Sequence, residues 1–229
     1  MLKFALFALL TMLTGSVWFA ILVVLAVYLL IDVQYLGVSR VVLRYVRTAR
    51  DIGELRRDVT INPHNAAAQN DLGRMLIQNG RYADAVAPLE RAIERLADSD
   101  ETNYYLGLAY LQTGRDDDGR RLIRKAIEMN PRFRYGEPFL RLGEYELAHG
   151  RLSEARELFE RFEQIHSSSV EGFFLHGELY RRLGDADAAR RFYRKAIDAF
   201  RRSPFYKRRD ERRWLWKARL ALWRMSRAI

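Results

Sequence analysis

Residues 66–99 read AAAQNDLGRMLIQNGRYADAVAPLERAIERLADS, and residues 100–133 read DETNYYLGLAYLQTGRDDDGRRLIRKAIEMNPRF. The two stretches share their punctuation. Gly73 aligns with Gly107, and two further glycines, Gly143 and Gly177, extend the series at intervals of 34, 36 and 34 residues. Seven residues after each comes a second glycine: Gly80, Gly114, Gly150 and Gly184. A small residue follows five positions later (Ala85, Gly119, Ala155, Ala189), then a bulky apolar one (Leu89, Ile123, Phe159, Tyr193), then Ala92, Ala126, Phe162 and Ala196. A fixed period near 34 marks a stacked repeat.

Each copy reads as two amphipathic helices, for example Ala66–Asn79 and Ala83–Leu96, broken at Gly80, which can take positive φ and close the turn. Gly73 and Ala85 lack bulk, so the helices can cross closely while Leu72, Leu76, Leu89 and Ile93 fill the seam. One hairpin cannot bury its apolar face alone, so stacking on neighbours must complete the core.

On these residues, together with Leu72, Leu106, Leu142 and His176 before each first glycine and Leu76, Tyr110, Glu146 and Tyr180 after it, the chain resembles the tetratricopeptide repeat. The resemblance covers four copies, 66–99, 100–133, 136–169 and 170–203. It implies an all-α fold: a right-handed superhelical solenoid of helix-turn-helix repeats. The copies differ in places. His176 replaces a leucine. Copy three has Glu146 for the aromatic, Phe162 for the alanine, and a two-residue insertion near Arg134-Tyr135 before it. These departures leave the local packing less defined by the repeat pattern but do not threaten the fold.

The net charge of +10 is uneven. Residues 63–199 hold 21 basic and 23 acidic residues, whereas 200–229 hold 11 basic and 2 acidic. The repeats are near-neutral and the C-terminal segment is strongly basic. The absence of cysteine excludes disulfides and thiolate metal sites.

Upstream, residues 4–31 (FALFALLTMLTGSVWFAILVVLAVYLLI) carry no charge. As one helix this run extends about 42 Å against a hydrocarbon core of about 30 Å. The reading is a membrane anchor over 1–33, preferred to a secretory signal because the apolar run is long and meets Asp32-Val33-Gln34 rather than a small-x-small site. A re-entrant hairpin of 4–13 and 17–31 around Thr14-Gly15-Ser16 is the alternative geometry. Arg40, Arg44, Arg47 and Arg50 outweigh Lys3 and the amino terminus, which places the repeats on the cytoplasmic side of a single span. Residues 34–64 predict an amphipathic juxtamembrane helix. Residues 50–62 are expected to cap the first repeat, since Pro63 matches Pro131 after copy two. Residues 38–49 are left between that role and the membrane surface. Pro204 ends copy four. Residues 205–229 then predict a basic, Trp-rich capping helix, with Trp214, Leu215, Ala218, Leu222, Met225 and Ile229 on its inner stripe. A second patch, Trp216, Arg219, Leu220, Trp223, Arg224 and Arg227, exceeds what a cap requires.

No phosphate loop, GxSxG elbow or HExxH occurs, and no cofactor or catalytic set is expected. His166 beside Ser167-Ser168-Ser169 reads as a polar link between copies, and Asp116-Asp117-Asp118 as the acidic start of a helix. Glu137, Glu144, Glu171 and Glu178 read as solvated. The resemblance implies a concave groove lined by the first helix of each copy. The candidates are Asn70, Arg74 and Gln78; Tyr104, Leu108 and Gln112; Leu140, Glu144 and Leu147; and Phe174, Glu178 and Arg181. It implies a protein partner bound as an extended peptide or helix. The leading reading is therefore a non-enzymatic, membrane-anchored scaffold or adaptor. The alternative is binding of a membrane surface or nucleic acid through the basic C-terminal helix, with anionic lipid preferred to nucleic acid.

Overall fold

The computed structural model describes residues 17–18, 21–23 and 38–227. The expected anchor at 4–31, in either geometry, lies outside the described residues apart from those five helical positions, as does Ile229. Among the described residues, no helix is long and apolar enough to cross a membrane and none forms a strand.

Two compact units divide between Ile61 and Asn62. In the first, α1 (Val38–Ile61) runs without a break, and Arg50 pairs with Glu54 one turn on at 2.8 Å. The second holds four hairpins: α2 (Ala66–Gln78) with α3 (Tyr82–Ile93), α4 (Asp100–Gln112) with α5 (Asp116–Met129), α6 (Glu137–Ala148) with α7 (Leu152–Ile165), and α8 (Val170–Arg182) with α9 (Ala186–Arg202). A last helix, α10 (Phe205–Ser226), closes the stack.

The helix starts follow from short polar side chains. Asn65, Ser99 and Ser169 accept from the backbone N–H groups of Ala68, Thr102 and Gly172 at 3.1, 3.2 and 3.0 Å. Ser169, in the expected polar link between copies, is thus also a helix cap. Gly80, at φ 74°, closes the first turn, and its three counterparts adopt the same left-handed conformation. Each first helix packs on the preceding hairpin. α4 touches both α2 and α3, α8 touches α6 and α7, and α10 touches α8 and α9 in the same way. The last helix therefore stands where the first helix of a fifth copy would stand. Its Trp214, Leu215 and Ala218 are buried.

The departures Glu146 and Phe162 in copy three are packed into the core. Phe162 is 4% exposed. Its ring occupies space that glycines leave empty: a Cβ on Gly172 would lie 2.5 Å from it, and one on Gly136 3.4 Å. His176 is likewise buried, 4.5 Å from the Phe192 ring in a stacked arrangement.

Copy two carries Gly119 where the other copies have alanine. A helix interior ordinarily favours alanine over glycine. Here α4 and α5 meet backbone to backbone, and a Cβ on Gly119 would lie 2.8 Å from the Gly107 carbonyl oxygen and 2.7 Å from Leu111. Gly119→Ala, although it restores the common residue, is expected to destabilise the stack by about 1–3 kcal/mol. The urea midpoint measures this, and a raised midpoint contradicts the close approach.

Candidate functional site

The first helices of copies one to three line one face of the stack, and a cavity of about 630 Å³ opens along it. Gln78 of α2 stands at one end, Tyr104, Tyr105, Leu108 and Gln112 of α4 in the middle, and Arg141, Glu144 and Tyr145 of α6 beyond. Arg213 of α10 reaches into the same space. Copy four contributes nothing to it. Phe174, its groove-side candidate, lies under Trp214 with ring centres 5.4 Å apart, and the Lys217 ammonium sits 4.2 Å from the Trp214 ring. α10 thus covers the copy-four stretch of the face and leaves a bounded groove over the first three copies.

Of the sequence candidates, Gln78, Tyr104, Leu108, Gln112 and Glu144 meet in this groove. The others do not. Asn70 is buried. Its amide accepts from Thr102 Oγ1 at 2.9 Å and donates to Glu101 at 3.4 Å, joining copies one and two. Arg74 is held by Asp71 at 2.7 Å. Leu140 and Leu147 are core residues at 4% exposure. Phe174 is covered, and Glu178 accepts from the Tyr193 hydroxyl at 2.6 Å and from Arg181 at 2.8 Å. Asn70, Leu140 and Phe174, each three residues before a repeat glycine, are thus taken up by internal contacts, whereas Tyr104, at the same position in copy two, lines the groove.

Sequence reasoning missed Tyr105, Arg134, Glu137, Arg141, Tyr145 and Arg213. The insertion before copy three supplies Arg134. Both Arg134 and Tyr135 take positive φ, 47° and 59°, uncommon for residues with a side chain. This backbone directs the Arg134 guanidinium onto the Tyr105 hydroxyl and onto Glu137 at 2.6 Å. The insertion builds groove wall. Glu137 and Glu171 occupy equivalent places at the starts of α6 and α8, and neither is merely solvated. Arg141 bonds Glu171 at 2.7 Å and Glu144 at 2.8 Å. Burial pushes the Arg141 guanidinium down, but these carboxylates outweigh it, and the net direction is upward.

Two wall hydroxyls have no partner. Tyr104 is 1% exposed and Tyr145 8%, and neither Oη has a hydrogen bond within the protein. Burial, reinforced by Glu137, pushes Tyr104 well above the usual tyrosine range, so its hydroxyl stays protonated and can donate. The groove is therefore lined by aromatic rings, with Arg134–Glu137 and Arg141–Glu144 paired along it and Arg213 outside these pairs.

The outer patch predicted on the last helix is at the surface. Trp216 is 60% exposed, Leu220 45% and Trp223 50%, with Arg219, Arg224 and Arg227 also exposed. Asp118 of the acidic run pairs with Arg115 and Arg121 at 3.0 Å each, which holds its carboxyl below the usual range.

Among solved structures the chain is similar to MamA, at 22% identity with 65% of this chain and 85% of that one covered and a TM-score of 0.59. It is similar to PilW, described as a widely conserved type IV pilus biogenesis factor, at 19% identity with 70% and 74% covered and a TM-score of 0.61. It is also similar to YrrB, described as a tetratricopeptide repeat protein with an unusual peptide-binding site, at 18% identity with 72% and 84% covered and a TM-score of 0.56. At these identities the likeness is one of fold. No curated protein matches by sequence. One tetratricopeptide-repeat profile matches residues 76–137 and a second matches 49–101 and 139–206, the latter alone spanning more than half of the chain. With four glycine-punctuated hairpins stacked in one register, the chain belongs to the tetratricopeptide repeat family.

Proposed function

We propose that the chain is a membrane-anchored adaptor that holds a segment of a protein partner in the groove over copies one to three. The observation that carries this is the bounded cavity walled by Tyr104, Leu108 and Gln112, with the Tyr104 hydroxyl buried and unpartnered within the protein. Buried polar groups ordinarily find a partner, and a main-chain carbonyl or amide of an extended peptide suits this one. Leu108 and the tyrosine rings offer apolar contact beside it. The YrrB description, a peptide-binding tetratricopeptide protein of the same fold, is consistent with that use of the face. The reading assigns the chain no catalytic step.

Tyr104→Phe removes only the hydroxyl. It is expected to leave the thermal midpoint unchanged or slightly higher, because no internal bond is lost. The partner captured from detergent-solubilised membranes should bind roughly fivefold more weakly, about 1 kcal/mol. Leu108→Glu should abolish capture in a folded protein. Unchanged capture by both variants would sink the groove reading.

Membrane attachment rests on the uncharged run 4–31 and on the exposure of its helical residues Trp18 and Leu22, 81% and 64%. The arginines after the run support repeats on the cytoplasmic side. A reporter active only after export, fused to the C-terminus, should be silent.

A further inference from the structure

The last helix, α10, carries two apolar faces, and the fold uses one. Trp214, Leu215 and Ala218 close the stack. Trp216, Leu220 and Trp223 follow one another at helical spacing on the outer side, each 45–60% exposed. Phe205, 89% exposed, stands on the same line about three turns earlier, at the helix start. From Phe205 to Trp223 this line is about 27 Å long. Solvent-exposed tryptophans in line are not a capping requirement and ordinarily mark a contact surface.

The charge around the stripe is one-sided. α10 holds eight basic and two acidic residues. Many arginines of the repeats are neutralised: Arg120 pairs with Glu146, Arg141 with Glu171 and Arg181 with Glu178. Among the described residues, none of the ion pairs involves a basic side chain of α10. Two of its neighbouring cations lie on the indoles instead, Arg219 at 5.3 Å from Trp216 and Arg227 at 4.0 Å from Trp223. Arg208 alone is engaged with backbone, donating to the Ser203 carbonyl at 2.9 Å.

We infer that the outer face of α10 docks flat on an anionic lipid surface, with Trp216, Leu220 and Trp223 entering the headgroup–acyl boundary and Arg219, Arg224 and Arg227 meeting lipid phosphates. Tryptophan and arginine suit that boundary, and a helix lying in it needs one apolar stripe flanked by cations. A second copy of the same face is disfavoured by its own charge. A nucleic acid would satisfy the arginines, but Leu220, between the two indoles, offers no stacking surface to a base. The uncharged run 4–31 is the reason a bilayer would be at hand, so the inference rests on the anchoring reading.

The chain has no cysteine, so Leu220→Cys gives a single site for an environment-sensitive fluorophore. Asp117→Cys on α5, whose native side chain is fully exposed, serves as the control. The full chain is reconstituted into vesicles of neutral phosphatidylcholine or of phosphatidylcholine with phosphatidylglycerol. Emission from position 220, and not from 117, should shift to the blue in the anionic vesicles only, and should revert in high salt. Combined Arg219→Glu, Arg224→Glu and Arg227→Glu should lower the docked-to-free ratio on the order of 100-fold, about fivefold per arginine. No shift, an equal shift on neutral lipid, or a shift produced by polyuridylate RNA but not by anionic lipid each overturns the inference. Carbonate extraction reads the anchor separately. If the chain washes off, the anchoring reading fails, while the fluorophore with added anionic vesicles still decides the role of α10.

Discussion

Glu146→Ala is expected to cost about 3–5 kcal/mol, seen as a large fall in the urea midpoint of the repeat unit. Glu146 stands where copies two and four carry Tyr110 and Tyr180, yet it is fully buried. Arg120 Nε bonds it at 2.7 Å, Arg151 bonds the other oxygen, and Arg124 approaches to 3.9 Å. Arg120 and Arg124 come from the second helix of copy two, and Arg151 from the turn of copy three, so the carboxylate ties the two copies together. Removing it strands partly buried guanidinium groups, and that uncompensated charge supplies most of the cost.

The preceding junction shows the same device with its charges exchanged. There the carboxylate is Glu90, on the second helix of copy one. It accepts from the Tyr110 hydroxyl and from Arg115 Nη1, each at 2.7 Å, and Arg115 lies 3.7 Å over the Tyr110 ring. In the repeat frame Glu90 aligns with Arg124, Tyr110 with Glu146 and Arg115 with Arg151. The acid has moved across the junction and bases have taken its former place. Arg120 aligns with Val86, so Glu146→Tyr combined with Arg120→Val brings the second junction closer to the first. That pair is expected to recover all but about 1 kcal/mol, because replacing a buried ion pair together is far cheaper than removing one partner. A loss below 1 kcal/mol for Glu146→Ala would mean that water already satisfies the cluster.

The two junctions explain what the sequence could convey. Glycines and alanines at fixed intervals are local requirements of a close helix crossing, so the hairpins and their order were legible from spacing alone. The groove was legible only in part. A helical wheel of α4 places Tyr104, Leu108 and Gln112 on one side, but it cannot say that the next copy covers part of that side. Asn70, Leu140 and Phe174 were lost from the groove for this reason. Arg213 was invisible for a stronger one, since it enters from a helix more than 60 residues away along the chain. The departures in copy three left the local packing open because each one's compensation sits elsewhere: Gly136 and Gly172 for Phe162, and Arg120 with Arg151 for Glu146.

His176, the departure in copy four, makes stability depend on pH. Its imidazole is 2% exposed, stacked on Phe192 and 5.5 Å from the Phe159 ring. Burial pushes its pKa down to about 4, against opposing pulls from Glu163 and Glu160 and with help from Lys195 and Arg156. Glu163 lies 3.4 Å from Nδ1, yet it is itself partly exposed and shared with Lys195 at 3.2 Å, so burial prevails. The unfolded chain, with an ordinary histidine near 6.5, takes up a proton that the folded chain refuses. Stability is therefore full above about pH 6.5 and falls as pH is lowered toward 4, by about 3 kcal/mol across the window. His166 is pushed the same way by burial and by Lys207, and carboxylates add their own acid losses at lower pH. The decisive quantity is thus the difference between proteins. His176→Leu, the residue this position holds in the other three copies, is expected to match wild type within about 1 kcal/mol at pH 7.5 and to exceed it increasingly as pH falls to 4.5. Parallel stability curves for the two proteins over that range would show that His176 takes its proton without leaving the stack, and that the buried imidazole is not what weakens copy four in acid.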